Sequence, residues 1–201
     1  MCAIIGFDSP TLTEQEIRPY FDRTISRGPD MSRMEKAGRG MLGFHRLAIM
    51  GLHEEGMQPF HLGGDMAVCN GELYGFRPLK KELEAKGYTF ASESDCELIL
   101  PLYSEYGVEM FAKLDAEFAM IIYDAKADRL VAARDPIGIR PLFYGYLADG
   151  GILFASEAKN LVGLCERIMP FPPGHYYADG KFVRYADLTT VTEYSRDNLD
   201  T

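Results

Sequence analysis

At 201 residues, 47% hydrophobic and with a net charge of −9, the chain is long enough to bury its own core and carries no excess of cations. A nucleic-acid surface needs clustered Lys and Arg to displace counterions, so the acidic balance excludes nucleic acid as a partner. No apolar run reaches the roughly 20 residues of a membrane span and the start lacks the pattern of a secretory signal, which together read as a cytoplasmic protein with no membrane partner.

Cys2 stands directly behind Met1, at the head of an apolar run Ala3-Ile4-Ile5-Gly6-Phe7 that predicts a first strand. Excision of Met1 would place a thiol and a free α-amine on one residue. A thiol with a pKa of about 8.5 needs a base to act as a nucleophile, and an α-amine titrating near about 7.7–8.0 can take its proton and return it to a leaving amine. By itself Met-Cys is equally a small apolar residue packed at a strand start.

A first helix is expected over 14–27, with Thr13 and Glu16 spaced as a capping box and Ile17, Phe21 and Ile25 on one face, although Pro19 blurs its start. Further strands are expected at 41–50, 65–70, 118–124, 129–133, 142–146 and 152–155 from their β-branched and aromatic content. A second helix runs from Pro78 to about Lys86 and stops at Gly87. A third opens on Ser94 and Glu97 as another capping box and buries Leu98, Leu102 and Tyr106. Strands first, helices grouped between, then more strands give an α+β fold with layered sheets. Residues 1–186 form one domain, and 187–201, polar and without periodicity, read as a tail or the start of a linker.

Neither Cys2, Cys69, Cys96 and Cys165 nor His45, His53, His61 and His175 have zinc-site spacing, so no metal is expected and the thiols fit a reducing compartment. Gly38-x-Gly40-x-x-Gly43 matches a dinucleotide fingerprint by letter, yet a polar loop precedes it and a strand-like run comes after it, the wrong context for one. Asn70-Gly71-Glu72 closes an apolar strand. An amide side chain beside a glycine N–H there can aim two donors at one developing oxyanion, although Asn-Gly is also a tight-turn pair. Arg46 lies inside an apolar run, where a cation needs a partner or a ligand, and Asp95 sits at a helix start. A cation and carboxylates suit the two charges of a free amino acid; a structural ion pair and a helix-end contact would explain them as well. The block Arg134-Asp135-Pro136-x-Gly138-x-Arg140-Pro141-Leu142 reads as a rigid connection held by ion pairs, with a phosphate site as the alternative for its arginines, and Ser156 lacks the glycines of a nucleophile elbow.

Taken in order, Met1 to Gly6, Arg27-Gly28-Pro29-Asp30, His45 to Ile49, Gln58-Pro59, Asn70 to Tyr74, Ser94 to Glu97, Leu114-Asp115-x-x-Phe118-Ala119, Arg134 to Leu142, Phe154 to Glu157 and Pro172-Pro173-Gly174 carry a resemblance across most of the chain. The sequence resembles the class II glutamine amidotransferase domain, an N-terminal nucleophile hydrolase, and within that class looks most like the glutaminase half of glutamine-hydrolysing asparagine synthetase. The resemblance implies a four-layer αββα sandwich. It implies Cys2 as nucleophile with its own α-amine as base, the Asn70 side chain and Gly71 N–H as oxyanion hole, Arg46 on the substrate α-carboxylate, and Asp95 and Glu72 on its α-ammonium. Glutamine would be hydrolysed to glutamate and ammonia without a cofactor, the ammonia passing to a synthetase domain or subunit. ATP and Mg would be expected only in such a domain, which these residues do not supply, and a homodimer is left open. Ala3, Ala116-Glu117, Pro136-Ile137 and Arg140 depart from the asparagine synthetase pattern, and Pro136-Ile137 with Arg140 leans toward phosphoribosyl-type enzymes. A phosphoribosyl or sugar amidotransferase module, or a non-catalytic regulatory module of the same fold, are therefore the alternatives.

Overall fold

The structure is a computed structural model that describes residues 1–49 and 54–190. Met50 at the end of one expected strand, His53, and the tail from 191 onward lie outside the described residues.

Two six-stranded antiparallel sheets organise the described chain. The first contains β1 (Ala3–Phe7), β2 (Met31–Ala37) and β3 (Gly40–Arg46), joined later in the chain by β8 (Phe143–Tyr146), β9 (Ile152–Ala155) and β10 (Ile168–Pro170), in the order β10-β8-β9-β1-β3-β2. The second contains β4 (Phe60–Leu62), β5 (Asp65–Leu73), β6 (Ala116–Asp124), β7 (Arg129–Arg134), β11 (His175–Ala178) and β12 (Lys181–Arg184), in the order β12-β11-β7-β6-β5-β4. Helix α1 (Glu14–Phe21) covers the outer face of the first sheet, while α2 (Phe76–Ala85) and α3 (Ile99–Tyr106) cover that of the second.

Side chains alternate across a strand, so each central strand feeds two cores. Ile5 and Phe7 pack outward against Ile17 and Phe21 of α1. Ile4, Leu42, Phe44, Val68, Ile121 and Phe154 point inward and fill the space between the sheets. On the far side Cys69, Phe118 and Met120 meet Leu83, Leu98 and Leu102. Three apolar layers between four structural layers make this an αββα sandwich, as the resemblance implied.

The same alternation places the chemistry. Counting by twos, Ile4 leads back to Cys2, Leu42 and Phe44 lead on to Arg46, and Val68 leads to Asn70 and Glu72. The inter-sheet layer therefore changes from apolar to reactive at one end.

Several sequence expectations are corrected. The first helix is α-helical only to Phe21 and continues to Arg27 as a tighter 3-10 turn. Pro19 lies inside it and donates no backbone hydrogen bond, and the shorter repeat turns Ile25 off the apolar face, where it is 47% exposed. Helix α2 starts at Phe76, before Pro78, because Gly75 makes its left-handed entry. The capping box at Ser94 does not form: the Glu97 carboxylate accepts from the Ala91 and Ser92 amides at 2.7 and 2.8 Å instead, and Asp95–Leu98 is a 3-10 turn. Tyr106 is exposed rather than buried.

Strand β3 ends at Arg46, where the expected run continued to Met50. Strand β2 was not expected at all; as a sheet edge it carries charge and buries little beyond Met34 and Ala37. The short strands β4, β10, β11 and β12, of three or four residues each, are too brief for an alternating pattern to show. The glycine fingerprint is a hairpin turn, with Gly38 between β2 and β3 and Gly43 inside β3. Among the described residues no helix is long and apolar enough to cross a membrane.

Candidate active site

Cys2, Arg46, Asn70, Gly71, Glu72 and Asp95 line one pocket at the end of the inter-sheet layer, together with Gln58 and Arg140. All six residues singled out from the sequence are thus brought together, although they come from the residue before β1, from β3 and β5, and from a 3-10 turn.

Cys2 is held from several directions. Ser156 Oγ accepts the Ile4 N–H at 2.9 Å and the Ser156 N–H donates to Ile4 O, which fixes β1 against β9. Arg27 Nε donates to Cys2 O at 3.0 Å while Nη1 bonds Glu157 at 2.9 Å. Asp30 accepts the Ala48 N–H at 2.8 Å, and the adjoining Leu47 N–H donates to Cys2 Sγ at 3.4 Å. The Arg-Gly-Pro-Asp segment therefore braces Cys2 at both ends. Gly28 is required there: a Cβ would lie 2.2 Å from His45 O. Burial pushes the Cys2 thiol up, while the Leu47 amide, the N-terminal ammonium of Met1 and Arg46 pull it back.

Opposite the thiol, β5 carries Asn70, 2% exposed, whose Nδ2 has no hydrogen-bond partner among the described residues. An unpaired buried donor costs roughly 1–3 kcal/mol, which is tolerated where a ligand or reacting atom supplies the missing partner. Asn70 and Gly71 both lie within β5, so the tight-turn reading of this pair does not hold.

Gly71 is set by its neighbours. Along a strand the N–H groups of alternate residues face the same edge. The Cys69 N–H donates to Gln58 Oε1 at 2.6 Å and the Leu73 N–H to Asp95 Oδ2 at 2.6 Å, both on the edge away from β6. Phe118, opposite Gly71 in register, gives its own N–H and C=O to Asp135. The Gly71 N–H therefore shares the edge of Cys69 and Leu73. A Cβ on Gly71 would stand 2.5 Å from Glu117 O, so only glycine lets β5 approach β6 this closely.

Arg46 is 3% exposed and its Nη1 reaches Met31 Sδ at 3.7 Å. Asp95 is 7% exposed and presents a carboxylate to the pocket while anchoring Leu73; this replaces the helix-end contact considered from sequence. Glu72 sits at the exposed rim.

The Arg134-to-Leu142 block holds itself by side chain to backbone contacts more than by ion pairs. Arg134 bonds the carbonyls of Arg140, Gly138 and Phe171 at 2.7–2.8 Å, and Asp135 accepts four amides from Ile137 to Arg140. Arg140 pairs with Glu117. With Arg134 committed to carbonyls and Arg140 to a carboxylate, the phosphate alternative loses its two cations.

Sequence reasoning gave no role to Arg27, Asp30, Leu47 or Gln58. The first two and Gln58 were visible as polar residues beside a Gly-Pro or Pro, but their partners lie in other strands. Leu47 acts through its backbone and left no signal.

A family model described as a glutamine amidotransferase domain matches residues 1–177. A probable glutamine-hydrolyzing asparagine synthetase of Dictyostelium discoideum is 44% identical over 195 residues, covering 92% of this chain and 35% of that protein. Glutamine-hydrolyzing asparagine synthetase 2 of Arabidopsis thaliana is 38% identical over 185 residues, covering 89% and 31%. The chain thus spans about a third of the length of these curated relatives. An allosteric regulatory enzyme of purine biosynthesis superposes with a TM-score of 0.78 at 21% identity, covering 92% of this chain and 49% of that one. A glutamine phosphoribosylpyrophosphate amidotransferase of B. subtilis gives 0.72 at 20%, with the same coverage, and both show the fold. The family match over nearly the whole described chain, together with the synthetase relatives, shows that the chain belongs to the class II glutamine amidotransferase domain family.

Proposed function

We propose that the chain hydrolyses glutamine to glutamate and ammonia through a γ-glutamyl thioester on Cys2, and that the ammonia serves asparagine synthesis. The observation that carries this is the pocket itself, in which a braced thiol faces an unpaired buried amide donor and both signs of charge. The 44% and 38% identities to asparagine synthetases support the acceptor, and the remaining two thirds of those relatives is where a synthetase domain, with its ATP and Mg, would belong.

In this reading removal of Met1 frees the Cys2 amine, which takes the thiol proton. The thiolate attacks the side-chain carbon of glutamine. The resulting oxyanion accepts from Asn70 Nδ2 and the Gly71 N–H. The carbon–nitrogen bond breaks as the protonated amine returns its proton and ammonia leaves; water then attacks the thioester and the Cys2 sulfur departs as thiol. Arg46 holds the α-carboxylate, and Asp95 with Glu72 holds the α-ammonium. No cofactor takes part. Residues 1–186 constitute the glutaminase domain, supported by the end of the last described strand at Arg184, and residues 187–201 are a polar tail or the start of a linker toward the acceptor domain. The free thiols and the acidic surface support a cytoplasmic setting.

The test is intact-mass analysis before and after treatment with diazo-oxo-norleucine, an electrophile shaped like glutamine, with peptide mapping. Loss of Met1 and one adduct on Cys2, blocked by glutamine, is the expected result. Processed protein that takes no label, or label elsewhere, would overturn the assignment.

A further inference from the structure

Gln58 is 4% exposed and belongs to no strand, yet its side chain makes the contacts of one. Its Oε1 accepts the Cys69 N–H at 2.6 Å and its Nε2 donates to Cys69 O at 3.2 Å. A single primary amide thus satisfies both backbone groups of the residue that precedes Asn70. Strand β4 pairs with β5 only as far as Ala67, so the amide takes over the edge where the neighbouring strand stops. Further along β5, the Asp95 carboxylate holds the Leu73 N–H. The Gly71 N–H lies between these two clamps, and the Asn70 side chain leaves the backbone inside the same span.

Resting on the glutaminase reading, we infer that Gln58 is a positioning residue for the oxyanion hole. It fixes the edge of β5 so that the Gly71 N–H and Asn70 Nδ2 converge on the oxyanion that forms only after attack. Gln58 lines the pocket, but both hydrogen bonds of its amide go to Cys69, so its role is to hold β5 rather than to bind ground-state glutamine. Interactions that exist only in the transition state appear in kcat and leave KM alone. A displacement of about 1 Å at such a site costs on the order of 100-fold in rate.

The tests are Gln58→Leu and Gln58→Glu in the full chain, with steady-state kinetics on glutamine and amide hydrogen exchange at Cys69. Gln58→Leu should lower kcat by about 100-fold with KM unchanged, and should speed exchange of the Cys69 amide. In Gln58→Glu the carboxylate still accepts the Cys69 N–H but repels Cys69 O; once protonated, the acid offers one acceptor and one donor like the native amide. Its kcat relative to the native chain should therefore rise as pH falls, a recovery that Gln58→Leu lacks. If Gln58→Leu does not fold, Gln58→Glu decides alone by this recovery. Undiminished kcat, or a change confined to KM, would overturn the positioning role, and unaltered Cys69 exchange would overturn the clamp itself. A native chain without glutaminase activity would sink the glutaminase reading, while the exchange measurement would still judge the clamp.

Discussion

Replacing Asn70 by leucine separates a catalytic donor from a structural one. The two side chains share a branched outline, so Asn70→Leu removes the amide with little change of shape. Asn70 is 2% exposed and its Nδ2 is unpaired among the described residues. A donor in that state costs the fold about 1–3 kcal/mol, and an apolar replacement of the same shape removes the cost. Stability should therefore hold or rise. Loss of one oxyanion donor, by contrast, raises the barrier by about 2.7–4 kcal/mol, or roughly 100- to 1,000-fold in kcat. The assay is glutamate release from the Met1-processed chain at saturating glutamine, run beside urea unfolding of both proteins. A kcat close to that of the native chain would refute the oxyanion role. A lowered unfolding midpoint would show that the amide is structural and that its partner lies elsewhere.

Four further outcomes are expected. Cys2→Ala should abolish hydrolysis while glutamine still binds, as read by calorimetry; residual turnover at the native rate would exclude the nucleophile. Gly71→Ala places a methyl 2.5 Å from Glu117 O, which forces β5 away from β6, so kcat should fall steeply and crystallography of the variant should show the shifted strand. In Asp95→Asn the amide oxygen can still accept the Leu73 N–H now held at 2.6 Å, so only the charge is lost; KM for glutamine should rise with kcat little changed, and an equal fall in kcat with KM constant would contradict ammonium binding. His45, stacked on Phe21 at 3.6 Å and bonded through its two ring nitrogens to Ser32 and Phe21 O, has its pKa pushed down by burial. Its unfolded pKa is about 6.5, so below that pH the unfolded chain binds a proton that the folded chain refuses. Stability should thus be full above about pH 6.5 and decline as pH falls toward the folded pKa, and thermal midpoints that stay level across this window would refute it.

The candidate site was more legible than the framework that holds it. Cys2, Arg46, Asn70 and Asp95 each broke a local rule: a thiol beside the start, a cation within an apolar run, an amide within an apolar strand, a carboxylate heading a turn. Such conflicts between residue and surroundings survive in sequence because a site needs them. The central strands β1, β5, β6, β7 and β9 were legible too, since burial on both faces leaves continuous apolar runs. Edge strands such as β2 were not, because one face and one edge meet water and the pattern is mostly polar.

Local sequence by itself determined the residue types and their parity: Cys2 with Ile4, Arg46 with Phe44 and Asn70 with Val68 must share a face, because a strand alternates with period 2. Only tertiary structure decided what that face meets. The pairing of β1 with β3 set Cys2 beside the Leu47 amide, the packing of one sheet on the other set it opposite Asn70, and the end of β4 left the Cys69 backbone for Gln58 to hold. These contacts join residues far apart in the chain through backbone groups that every residue carries. A backbone amide has no letter in the sequence, so its role exists only once the fold has pointed it somewhere.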